Sequence, residues 1–243
     1  MIKSIKDNKI IAFTRMVFAE EKYIMKYMYR RPLVIGIYEP KWFMRVKSIL
    51  DTRRIDYSIY EDKDTIPYYS VFYTDYRGFV EEAVSRNDVL IIYDPRDTRM
   101  GLEISILATM FKEKYNTLTI GIDPGSKPYY LVIGDGEVIE HGYVELEKIC
   151  EKINYLLNNI PSREKIVRVG SGLNGFDIIY LLRKTISGVK IEVVDEHETT
   201  PRSRLVNDIN YLDKRLVSIL KPYRNKDAYA ALRIALRKGI EVE

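Results

Sequence analysis

The sequence predicts an α/β protein in two parts: a small, mostly parallel open layer, then a mixed sheet with flanking helices. Two apolar runs, 33–38 and 88–93, have no polar face and read as strands buried on both sides. They alternate with stretches of helical period. After Asn116 the pattern changes to three consecutive strands around a tight turn, Gly134-Asp135-Gly136, before strand–helix alternation resumes.

Residues 1–31 are charged and partly apolar at helical spacing, which predicts an amphipathic helix. In the first layer, 32–115, the expected strands are 33–38, 57–60, 70–73 and 88–93. The expected helices are 41–51 (Phe43, Val46 and Leu50 on one face), 78–86, and 98–114 with Thr98 as N-cap. No Gly-rich phosphate loop is present; Asp94-Pro95-Arg96-Asp97 follows a strand end and reads first as a turn. In the second part, 116–243, strands are expected at 117–123, 128–134, 137–144, 165–170 and 189–195. Helices are expected at 145–158, 176–185, 202–220 and 226–238, giving the order β-β-β-α-β-α-β-α.

Hydrophobic residues make up 46% and charged residues 30% of the 243, a globular balance. No apolar run reaches the roughly 18–20 residues of a membrane span, and the start lacks a secretory signal pattern, so a cytoplasmic protein is expected. One Cys and two His exclude an intrachain disulfide and a Cys/His zinc cluster. Twenty Tyr with many Ile and Lys suggest a thermophile composition. The net charge of +4 is uneven: residues 161–243 carry 16 Lys/Arg against 11 Asp/Glu, leaving −1 on the rest. That asymmetry suits either a polyanion partner or a solvated basic surface.

Three acidic positions stand out. Asp123 ends the first strand of the second part, Asp195-Glu196 ends its last, and Asp227 opens the final helix. Parallel strands present their carboxyl ends to one edge, so these acids can gather there. Converging carboxylates repel one another and favour a cation, and oxygen-only ligation suits Mg²⁺ or Mn²⁺. Lys127, Arg202, Arg204, Arg224 and Lys226 flank these motifs and are candidate phosphate contacts, or partners of the same acids.

Ile120-Gly-Ile-Asp-Pro-Gly-Ser126, Asp195-Glu-His-Glu-Thr-Thr200 and Asp227-Ala-Tyr-Ala-Ala231 resemble the three motifs of the RuvC/YqgF branch of the ribonuclease-H-like superfamily. The middle motif is closer to the YqgF group than to the junction resolvases. The resemblance covers the C-terminal half and implies a ribonuclease-H-like fold. It also implies metal ligation by Asp123, by Asp195 or Glu196, and by Asp227. The function it implies is metal-dependent phosphodiester hydrolysis on structured DNA or RNA. Resolvases carry a Glu at the end of the fourth strand; here Gly170-Ser-Gly-Leu-Asn-Gly175 follows, with no acid until Asp177. Either Asp177 is a ligand or three acids serve. The alternative reading is a nucleic-acid-binding or assembly protein that keeps the fold without the activity, and a homodimer is compatible with either. His197 reads as a surface residue that could shuttle a proton, and His141, within a strand, as structural.

Overall fold

The computed structural model of the chain describes residues 30–195 and 226–242. The expected N-terminal helix, the expected helix 202–220, and Glu196, His197, Arg202, Arg204 and Arg224 lie outside them. The chain divides into two compact units, meeting between Glu113 and Lys114.

The first unit is built on a four-stranded parallel sheet in the order β2-β1-β3-β4, from β1 (Leu33–Gly36), β2 (Ser58–Ile59), β3 (Val71–Thr74) and β4 (Leu90–Tyr93). Helix α1 (Pro40–Thr52) starts with Pro at its first position and Glu39 as cap, and buries Trp42, Val46 and Leu50 at fourfold spacing. Helix α2 spans Arg77–Ala83 and α3 spans Arg99–Thr109. Thr98 caps α3 as expected, accepting from the Gly101 amide at 3.0 Å. Helix α3 ends five residues before Lys114 because Phe111 takes a left-handed φ of 59°, and the Lys112 amide turns back to the Leu107 carbonyl. The core joins Leu33, Ile35, Val71 and Tyr73 to Trp42, Val46, Leu102 and Ile106. Glu103, fully buried, sits between Arg53 and Arg99 at 2.9 and 2.7 Å.

The second unit holds a mixed six-stranded sheet in the order β10-β9-β8-β5-β6-β7. Its strands are β5 (Tyr115–Asp123), β6 (Tyr129–Gly134), β7 (Glu137–Tyr143), β8 (Ser162–Gly170), β9 (Lys190–Val194) and β10 (Ile240–Glu241). Strands β5, β6 and β7 form an antiparallel meander, β8 and β9 run parallel to β5, and β10 closes the β9 edge antiparallel. The sequence pattern did not foresee β10. Helices α4 (Ile149–Asn159), α5 (Gly175–Thr185) and α6 (Lys226–Leu236) complete the unit. A short 3-10 turn, Leu146–Lys148, replaces the expected first turn of α4.

The β6–β7 turn has positive φ at both Asp135 and Gly136, the geometry of a type I′ hairpin. A bulge at Ile139 then shifts the pairing by one, so that Tyr143 rather than Gly142 lies opposite Tyr129. Helix α6 packs on β5, β6 and β8 through Ala228, Ala231, Leu232 and Ala235. Its approach to β5 is backbone to backbone: a Cβ at Gly121 would fall 2.2 Å from the Ala231 carbonyl oxygen.

Candidate acidic site on the second sheet

Strand register fixes which residues share the sheet face under α6. Tyr143, Tyr129 and Asp123 are successive partners across β7, β6 and β5, so their side chains stand in one row. The same face continues onto β8 and β9 two residues back from the strand ends, where Gly121 pairs with Arg168 and Arg168 with Glu192. Beside Asp123 the fourth strand therefore presents Gly170, which has no side chain.

Asp227 enters this row from above, in the first turn of α6. The Tyr143 hydroxyl donates to its Oδ2 at 2.6 Å. That hydrogen bond, with burial and the nearby charges of Asp227 and Asp123, raises the pKa of Tyr143. Asp227 is thus hydrogen-bonded to this phenol, and Asp123 stands on the same sheet face two strands away, across Tyr129. Tyr129 stands edge-on to Tyr143 with ring centroids 4.7 Å apart. Burial first, then Tyr143 and Asp227, push the Tyr129 pKa up to about 12. Its hydroxyl meets Nδ1 of His141. Burial lowers the His141 pKa and so favours the neutral ring. His141 is thereby a structural partner of Tyr129, as its strand position suggested.

Asp195 follows β9, one residue past Val194, and so stands out of step with the alternation that carries Glu192 on the Asp123 face. Its main-chain carbonyl accepts from Arg237 at 3.3 Å. Arg237 is the residue that follows α6, beyond the end opposite Asp227. Among the described residues, no group of three or more His, Cys, Asp or Glu is arranged to hold a metal ion.

Asp177 is exposed in the first turn of α5, a helix that packs on β8 and β9. The loop before it is a tight turn. Asn174 takes a left-handed φ of 65°, and a Cβ at Gly175 would meet the Gly170 carbonyl at 2.2 Å. The Ser171 and Gly175 amides already donate to the Val194 and Gly172 carbonyls, which leaves them unsuited to cradle a phosphate. Lys127 pairs with Glu145 at 2.8 Å, both exposed, and Lys226 is exposed at the start of α6.

Two features of the site escaped the sequence reading. Tyr129 and Tyr143 lie in strands recognised as strands, but their pairing depends on the bulge. Partly buried Arg168 pairs with buried Glu192 at 2.7 Å, and Arg168 Nη1 also donates to the Ala235 carbonyl of α6 at 2.6 Å. Burial alone would raise the Glu192 pKa; hydrogen bonds from Arg168, Lys190 and the Gly239 amide outweigh it and hold it below the ordinary range. Charged residues alternating with Val in two neighbouring strands were the available signal.

The carboxyl edge of the first sheet is also acidic, with a different use of its acids. Asp94 Oδ2 accepts from the Thr98 amide and hydroxyl and from Tyr73, and Asp75 accepts from the Tyr38 and Glu39 amides. Burial, with Asp75 and Asp94 nearby, raises the Asp97 pKa. These carboxylates brace strand ends and a helix start. Asp94-Pro95-Arg96-Asp97 is therefore more than a plain turn: its first residue is buried and organises the α3 cap.

No family model, curated protein or solved structure matches the chain. Among the described residues, no helix is long and apolar enough to cross a membrane.

Proposed function

We propose that the second unit is a ribonuclease-H-like domain that hydrolyses phosphodiester bonds of structured nucleic acid with the help of a divalent metal. One observation carries the reading: Asp123 and Asp227, from a strand end and a helix start more than 100 residues apart, come to one sheet face, Asp123 in register with Tyr129 and Tyr143 and Asp227 hydrogen-bonded to Tyr143. The strand order supports it, with an antiparallel β5-β6-β7 meander and β8 and β9 parallel on the other side of β5.

Two carboxylates suit a hydrated Mg²⁺ or Mn²⁺ that completes its shell with water and substrate phosphate. Among the described residues, the glycine at the Asp123 row of β8 adds no further ligand. Asp123 and Asp227 would hold the ion, which would supply Lewis-acid polarisation of the phosphodiester. Tyr143 holds the Asp227 carboxylate by its hydrogen bond and would so orient it toward a metal. Tyr129 and His141 form the wall behind Tyr143. The amide end of α6 and exposed Lys226 favour an approaching phosphate.

The second reading, a binding protein without activity, draws on the same glycine and on the acid count. Cleavage of four-way junctions, flaps and precursor RNAs in Mg²⁺ or Mn²⁺ separates the two. The nuclease reading expects cleavage by the wild type and its loss in Asp123→Asn and Asp227→Asn. It expects a drop of about 10- to 100-fold in Tyr143→Phe, partly restored by more Mn²⁺. No wild-type cleavage, or equal cleavage by Asp123→Asn, leaves the binding protein.

A further inference from the structure

Helix α5 has two apolar stripes, and only one is needed for packing. Ile178, Ile179 and Leu182 are buried. Phe176 and Tyr180, four residues apart and so neighbours on one face, remain 69% and 59% exposed, with Leu173 before them at 71%. The same stripe continues into two cations, Arg183 and Lys184, and the Lys184 ammonium lies 4.1 Å from the Tyr180 ring centroid. Phe176, Tyr180, Arg183 and Lys184, with Ile179 at the base, line an open depression of about 370 Å³. Asp177 is one position on from Phe176, about 100° round the helix, and stands off the stripe. A contiguous exposed apolar face of this kind signals an interaction surface rather than scattered surface residues.

We infer that this stripe is a binding platform for single-stranded nucleic acid, Phe176 and Tyr180 stacking on bases and Arg183 and Lys184 contacting phosphates. Flat, exposed rings interleaved with cations are the chemistry of sequence-tolerant single-strand binding. Phe, Tyr and Arg also occur at protein interfaces; the paired cations Arg183 and Lys184 beside the rings supply the positive charge that a phosphodiester backbone requires. A duplex fits less well, since its bases are already stacked on one another.

The platform also has a direction. The loop that opens α5 is joined to the loop after Asp123: Asn174 Nδ2 donates to the Gly125 carbonyl at 3.4 Å, and a Cβ at Gly175 would lie 3.5 Å from the Pro124 ring. A strand on the stripe therefore leads toward the carboxyl end of β5. In that respect the inference rests on the nuclease reading: the ligand is the single-stranded flank of the substrate.

The test is fluorescence anisotropy of the full chain with labelled rU and dT oligonucleotides of about 12 nucleotides, in EDTA, so that binding is read without cleavage. Single strands should bind, and a duplex of equal length should bind more weakly. Tyr180→Ala and Phe176→Ala should each weaken single-strand binding by about 5- to 100-fold, with Tyr180→Phe close to wild type. Arg183→Ala with Lys184→Ala should flatten the salt dependence by roughly 1.4 in log–log slope. Equal binding by wild type and Tyr180→Ala, or no single-strand binding, overturns the platform even if Mn²⁺-dependent cleavage is found. Single-strand binding that depends on Tyr180 upholds it even if no cleavage is found. Dimerisation that Tyr180→Ala abolishes, without an effect on oligonucleotide binding, assigns the face to a second copy of the chain and overturns the inference.

Discussion

Adding one methyl group at Gly121 tests how Asp227 is brought to Asp123. The Cβ of Gly121→Ala would lie 2.2 Å from the Ala231 carbonyl oxygen and 2.7 Å from both the Ala235 nitrogen and its Cβ. Two of these three atoms are helix backbone, so no rotamer change relieves them. Helix α6 must instead lift by about 1 Å to restore van der Waals contact. Overpacking of this kind costs typically 1–3 kcal/mol, and a backbone obstacle places Gly121→Ala near the upper end. In a unit this size each kcal/mol lowers Tm by roughly 3–5 °C, so a fall of about 8–15 °C is expected by calorimetry. Gly125→Ala is the control, because nothing lies within 4 Å of its added Cβ, and its Tm should stay within about 2 °C of wild type. The lift also moves Asp227 away from Tyr143, so any metal-dependent cleavage should fall with stability. A Gly121→Ala protein as stable as Gly125→Ala would refute the close packing of α6 and the placement of Asp227 that depends on it.

Two further predictions concern the first unit. Glu103→Ala leaves the Arg53 and Arg99 guanidinium groups buried without their shared carboxylate; the expected loss is about 3–5 kcal/mol in urea unfolding, and a loss under about 1 kcal/mol would contradict it. The Arg86 hydrogen bond holds the Asp88 pKa down at about 2, against 3.8 for a free carboxyl. A depressed carboxylate stabilises the fold above its unfolded pKa and loses that contribution as pH falls through the folded one. The Tm advantage of wild type over Asp88→Asn should therefore be full above about pH 4 and shrink toward pH 2, and a pH-independent gap would contradict the pairing.

The order of elements was legible because continuous apolar runs, helical period and the Asp135-Gly136 turn each have a local cause. What failed to show depended on pairing between distant strands. The bulge at Ile139 has no mark in Val138-Ile139-Glu140, yet it decides whether Gly142 or Tyr143 faces Tyr129. Strand β10 is two residues long and forms only because β9 offers an unpaired edge at Glu192 and Val193. The end of α3 was misplaced because the left-handed turn at Phe111 falls on a residue with no preference for it. For the site, Asp123 and the helix start at Asp227 were readable from a strand end and an Ala-rich helix. Asp195 directly follows β9 and is out of step with Glu192, so the alternation that puts Glu192 on the Asp123 face does not put Asp195 there.

Strand-end acids occur in both units, and their partners separate two uses. Asp75 and Asp94 accept from main-chain amides beside their own strand ends, an arrangement that completes loops and a helix cap. Asp227 meets a phenol from a different strand, and that meeting requires no local turn. It is imposed from the far end of the helix. Arg168 grips the Ala235 carbonyl, Glu192 accepts from Arg168 and from the Gly239 amide, and small residues at 228, 231 and 235 let α6 lie directly on β5. The Arg168–Glu192 pair is weak evidence for stability, since its desolvation offsets much of its attraction. Its consistent effect is positional: it fixes where the last turn of α6 sits, and the rigid helix carries that constraint to Asp227. A site held by packed helix and sheet keeps its geometry better than one held by loops. For that reason the proposed site at Asp123 and Asp227, rather than the acidic edge of the first sheet, is where the Asp→Asn cleavage test is aimed.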